Sequence, residues 1–135
     1  MAAIPTDERL LALIYKHYIN DFKAHTEENK IRQTKIWVPL DLDMLAKKLR
    51  TDPDLLFGRL YYHMNGAYGS RTGDGEDVSF FYIRLGSDKH VVNFPLMTSV
   101  LADLKEDKKR FIVSTRVAGL SLLVSLASVA IALYF

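Results

Sequence analysis

Cysteine is absent from the 135 residues, which excludes disulfides, thiolate metal sites and thiol catalysis. Charge is absent after Arg116. All 34 Asp, Glu, Lys and Arg residues, 18 basic and 16 acidic, lie at or before it, and the last 19 residues carry none. The resulting net charge of +2 is too small to imply a polyanionic partner by itself. The opening MAAIPTDERL has no basic stretch leading into an apolar core, so no cleavable signal peptide is expected. No internal repeat and no low-complexity segment occurs.

The uncharged tail is a long hydrophobic run, VAGLSLLVSLASVAIALYF at residues 117–135. As a helix at about 1.5 Å per residue it reaches about 28 Å, close to the thickness of a bilayer's hydrocarbon core. Phe111, Ile112 and Val113 can lengthen the span, with Arg116 snorkelling to the interface. A transmembrane helix over residues 113–135 is expected, because a helix apolar on every side needs a far larger protein to bury it. Lys105, Lys108, Lys109, Arg110 and Arg116 flank its N-terminal side and no base follows it. The positive-inside rule then keeps the N-terminal domain cytoplasmic and puts the C-terminus on the far side, a single-pass, tail-anchored topology. A bacterial inner membrane is the favoured location over a eukaryotic one.

Small residues form a seam in this helix. Ala118, Ser121, Ser125, Ser128 and Ala132 are spaced 3, 4, 3 and 4 apart, a pattern that lets helices approach closely in lipid. A homo-oligomer zipped along this seam is one expectation; the other is that Ala and Ser are simply common in membrane helices. The same register runs back to Met97, and Pro95 suits a first helical position, so one helix from about residue 95 through the membrane is expected. Residues 96–112 form its basic juxtamembrane part.

Residues 1–95 read as a small α+β domain. Thr6 caps a first helix whose Leu11, Ile14, Tyr15, Tyr18 and Phe22 recur at helical spacing. A short strand at residues 35–38 precedes a second helix, capped by Asp41, with Leu42, Leu45, Ala46 and Leu49 on its apolar face. Asp52 and Pro53 open a third helix. Its expected buried side is Leu55, Leu56, Leu60 and Met64, and Asn65-Gly66 should end it. A glycine-rich connection, GAYGSRTGDGED, leads to a hairpin of VSFFYIRL and KHVVNF turning at Gly86-Ser87-Asp88, with Phe81, Ile83 and Leu85 sharing a face.

This order of helix, strand, helix, turn, helix and hairpin, with LAKKL followed by a second amphipathic helix, resembles the winged-helix family over residues 6–95. It departs from the family pattern at Arg50, which stands where a turn glycine often sits, so the turn is expected to rely on Thr51-Asp52-Pro53. The resemblance implies that residues 52–64 would enter a DNA major groove. That helix opens instead on Asp52 and Asp54, and residues 41–66 balance four acids against Lys47, Lys48, Arg50 and Arg59. Phosphate neutralisation supplies most non-specific DNA affinity, so a neutral segment argues for protein docking. The candidate partner surface is Phe57, Arg59, Tyr61, Tyr62 and His63, since aromatic residues dominate binding hot spots.

Enzyme signatures fail. His17, His25, His63 and His90 fall on four separate elements or loops, without the helical spacing of a metal pair. The segment at residues 73–77 lacks the alternating ligands of a calcium loop and the Lys-Ser/Thr ending of a phosphate loop. No cofactor, metal or catalytic residue is expected. The expected function is a membrane-held adaptor whose cytoplasmic domain docks a protein partner and couples it to assembly of the membrane helices. A small membrane effector of bacterial defence or toxin type is one form of this. The alternative is a membrane-tethered transcription regulator contacting DNA through Lys47, Lys48, Arg50 and Arg59.

Overall fold

The structure is a computed structural model describing residues 4–71 and 77–135. Helix α1 (Asp7–Ala24) starts where the Thr6 side chain accepts the Arg9 N–H at 3.2 Å. It buries Leu10, Leu11, Ile14 and Tyr18. Tyr15, expected in that core, is 40% exposed, and its ring stacks with that of Phe94, as does that of Phe22. Strand β1 (Trp37–Pro39) lies at a sheet edge, where proline costs no ladder hydrogen bond.

Helix α2 (Leu42–Leu49) is capped by Asp41, which accepts the Met44 N–H, and buries Leu42, Leu45, Ala46 and Leu49 as their spacing requires. Its end departs from expectation. Thr51 N–H donates to Ala46 O and Arg50 N–H to Lys47 O, the paired bonds of a Schellman motif. Arg50 itself adopts the left-handed conformation, with φ 55°. The turn therefore runs through Arg50 rather than Thr51-Asp52-Pro53, and Asp52 serves as the next cap, accepting the Asp54 N–H at 2.8 Å.

Helix α3 (Pro53–Gly58) continues without a break into a π-helical segment (Arg59–Met64) and α4 (Asn65–Tyr68). Leu56, Leu60 and Met64 are buried. Each four-residue step overruns an α-helical turn by about 40°, and the widened π turn keeps this series facing the core. Leu55, expected to be buried, is exposed. Asn65-Gly66 does not end the helix. The Asn65 side chain instead accepts the N–H groups of Phe80 and Phe81, at 3.0 and 3.2 Å. The helix stops three residues later at Gly69, where a Cβ would sit 2.6 Å from Asn65 O.

Within the glycine-rich connection, β2 (Ser70–Arg71) pairs with β3 (Asp77–Val78); residues 72–76, within the expected loop, lie outside the described residues. The single strand expected at residues 78–85 is also broken. Phe80 and Phe81 are both fully buried, which adjacent residues of one strand cannot be on a single face. Strand β4 (Phe81–Leu85) therefore starts at Phe81, pairs with β5 (Asp88–Asn93), and turns at Gly86, φ 62°. Ile83 does not share the burial of Phe81, because that end of the hairpin extends past the core.

The antiparallel sheet has the order β1-β5-β4. Asn93 caps α5 (Phe94–Tyr134), accepting the Leu96 N–H, and Phe94, Met97 and Leu101 bury against the domain. The chain is thus an α+β unit, Met1–Leu101, and a helical unit, Ala102–Phe135. The second is long and apolar enough to cross a membrane, and none of its apolar window is buried.

Candidate functional site

The third helix carries two different surfaces. On one side, the rings of Phe57 and Tyr61 stack with centroids 5.5 Å apart, and Tyr62 meets both edge-on, at 6.3 and 5.1 Å. Phe81 and His90, from the hairpin, continue the cluster: Phe57 lies 6.1 Å from Phe81 and 5.7 Å from His90. Phe81 is buried, Phe57 and Tyr61 are half-buried, and Tyr62 is 76% exposed. Tyr62 is thus the exposed ring of the cluster, resting on half-buried and buried rings.

Arg59 and His63 lie apart from these rings, turned to Asp7 at the start of α1. Arg59 Nε donates to Asp7 Oδ1 at 2.8 Å and its terminal nitrogen lies 2.5 Å from the same oxygen. Tyr68 O–H donates to Asp7 Oδ2 at 2.5 Å, and His63 Nε2 lies 3.4 Å away. Burial pushes the Asp7 carboxyl up, but the bonds from Tyr68 and Arg59 and the charges of Arg59 and His63 outweigh it and hold the carboxyl below its usual range. Burial first, then the bond to Asp7, pushes the Tyr68 hydroxyl up to about 12, so it stays a donor. Arg59 is therefore an inward-turned, charge-paired residue, while Lys47, Lys48 and Arg50 are exposed around the C-terminal end of α2.

Beside the aromatic cluster runs a groove of about 640 Å³, walled by Tyr18, Leu40, Phe57 and His90 and rimmed by Asp43 and Asp54. His90 has features that no spacing rule indicates. Its backbone is left-handed, φ 55°, in the middle of β5, and its Nδ1 is buried without a hydrogen-bond partner. The Tyr18 hydroxyl oxygen accepts the Asp41 N–H at 2.7 Å, which fixes that ring in the groove wall. Asp7, Tyr68, Phe81 and His90 were not indicated as site residues by the sequence. Their partners are 52 and 61 residues away in the case of Asp7, and only burial and long-range pairing bring them in.

Within the helical unit, Ala118, Ser121, Ser125, Ser128 and Ala132 are all exposed. Ser125 Oγ donates to Ser121 O at 2.9 Å and Ser128 Oγ to Val124 O at 3.0 Å. These two donors are satisfied within their own helix, so at Ser125 and Ser128 the seam offers small side chains rather than free hydroxyl protons. In the flanking basic stretch of Lys105, Lys108, Lys109, Arg110 and Arg116, Arg110 pairs with Glu106 at 2.6 Å. Among the described residues no group of three or more His, Asp or Glu is placed to hold a metal ion. No protein-family profile, curated protein or solved structure matches the chain.

Proposed function

We propose that the chain is a membrane-anchored docking protein: a winged-helix-like domain held on the cytoplasmic side that binds a protein partner through its aromatic face. The observation that carries this reading is Tyr62, exposed on a stack of half-buried and buried rings beside an acid-rimmed groove. A preorganised aromatic of this kind loses little entropy on binding. Asp43 and Asp54 on the rim favour a partner segment that combines aliphatic side chains with lysine or arginine.

The winged-helix likeness is supported by the α2–turn–α3 pair followed by a hairpin in one small antiparallel sheet. DNA reading is disfavoured by the same residues that built the expectation. Arg59 is committed to Asp7, and Asp52 and Asp54 stand at the start of the helix that would enter the groove. The uncharged helix with its basic flank supports anchoring with the domain on the cytoplasmic side. The small-residue seam supports assembly of the helices as the response to docking, in an adaptor or a small membrane effector.

The test uses the full chain in zwitterionic nanodiscs, challenged with a displayed peptide pool and with a mixed-sequence DNA duplex. Enrichment of aliphatic-basic segments that is lost in Tyr62→Ala and in Asp43→Lys is the expected result. Enrichment indifferent to both substitutions would refute the docking face. Duplex binding that falls steeply with salt would instead install the tethered regulator.

A further inference from the structure

Residues 25–36, between α1 and β1, shape a pocket of about 470 Å³ that the docking reading does not use. At its base sits His25, 6% exposed. Its Nδ1 accepts the Ile31 N–H at 3.2 Å, so the neutral ring carries its proton on Nε2. No described residue accepts from that Nε2. Burial first, then the positive charges of Arg32, Lys30 and Lys35, holds the imidazole below its usual value and so in this neutral, donating form.

Two hydroxyls in the lining are used in the same way. Thr26 Oγ1 accepts the Asn29 N–H at 3.1 Å and Thr34 Oγ1 accepts the Trp37 N–H at 3.2 Å, which leaves each O–H to donate. Lys30 and Lys35 add ammonium groups to the same lining, and Lys35 is steadied by the Phe22 ring, 5.1 Å beneath its charge. Arg32 serves as the brace, donating to Asp21 O at 3.0 Å and to Lys35 O at 2.7 Å. The acceptors of His25, Thr26 and Thr34 are thus taken up by backbone N–H groups, so what these side chains and the two lysines have left to offer is donors and positive charge. Glu27, the acid in the lining, leaves two lysines against one carboxylate.

We propose that this pocket binds a single phosphate group carrying one proton, through His25 Nε2–H, the Thr26 and Thr34 hydroxyls and the Lys30 and Lys35 ammonium groups. Charge-assisted bonds of this kind hold oxyanions. Glu27 accepts the P–OH proton, which sulfate lacks at neutral pH, so the site selects phosphate over sulfate. A phosphomonoester lipid headgroup and free phosphate share this chemistry.

The test is the imidazole nitrogen spectrum of the full chain in zwitterionic nanodiscs, titrated with inorganic phosphate. The expected result is a saturable shift of the His25 ring alone, with affinity reduced about 5- to 10-fold in Lys30→Gln and in Lys35→Gln. Both lysines are solvent-exposed, so these variants keep the fold if His25→Ala does not. Nanodiscs containing phosphatidic acid distinguish the source. A His25 shift present without free phosphate and competed by it identifies the lipid headgroup; a shift with free phosphate only identifies a soluble ligand. Either supports the site. No saturable shift in either arm, the same shift with chloride or sulfate, or a shift indifferent to both lysine substitutions would overturn it.

Discussion

Replacing Asp7 by Ala should destabilise the domain by about 2 kcal/mol, a value bracketed by two limits. An exposed ion pair contributes about 0–1 kcal/mol, while removing one partner of a buried pair costs about 3–5 kcal/mol. Asp7 and Arg59 fall between, with side chains 13% and 28% exposed. Truncation leaves Arg59 only partly rehydrated, frees the Tyr68 hydroxyl, and removes an acid from the positive end of α1, itself worth about 0.3–1 kcal/mol. Arg59→Ala should cost a similar amount, and the double variant should reveal a coupling of about 1–1.5 kcal/mol. The assay is urea unfolding of the full chain in zwitterionic micelles. Trp37, the chain's one tryptophan, is the fluorescent reporter, its ring 4.7 Å from that of Tyr82. The pH dependence supplies a second reading. Because the folded carboxyl lies below its usual value, its stabilisation is present above the unfolded pKa and is lost as pH falls through the folded one. The wild-type and Asp7→Ala stabilities should therefore converge below pH about 4. A coupling under about 0.3 kcal/mol, with parallel pH curves, would refute the cluster as a tertiary clamp. It would also return Arg59 to the residues available for DNA.

Three further outcomes are expected. Arg50→Gly should stabilise the domain by roughly 0.5 kcal/mol, since relief of a left-handed non-glycine residue is partly offset by glycine's larger chain entropy; a loss above about 1 kcal/mol would mean that the Arg50 side chain holds the turn. Gly69→Ala should cost about 2 kcal/mol in the same unfolding assay, because its Cβ meets the Asn65 and Val78 carbonyl oxygens at 2.6 and 3.1 Å; a neutral result would show that the end of α4 shifts freely. Ser125→Leu should weaken self-association in lipid roughly tenfold by cross-linking, as close packing along the seam is blocked. Unchanged oligomers would dismiss the seam.

Elements with a local cause were legible directly in the residues. Thr6, Asp41 and Asp52 capped the helices where their side chains could reach a backbone N–H two or three residues on. The four apolar residues of α2 fell on one buried face. The apolar run after Arg116 needed only its length and lack of charge to mark a candidate span. What failed locally was decided at a distance. Asn65-Gly66 carries a helix-stop signal, yet Asn65 takes up the N–H groups of Phe80 and Phe81, which tie the helix to the hairpin and free it to continue. Alternation predicted one strand through Phe80 and Phe81, but the core had room for both rings and the strand broke between them and β3. Arg59 read as a free cation until α1 brought Asp7 against it. These points depended on long-range packing because buried polar groups must find partners, and those partners are supplied by whichever segment packs alongside, however far away in the chain.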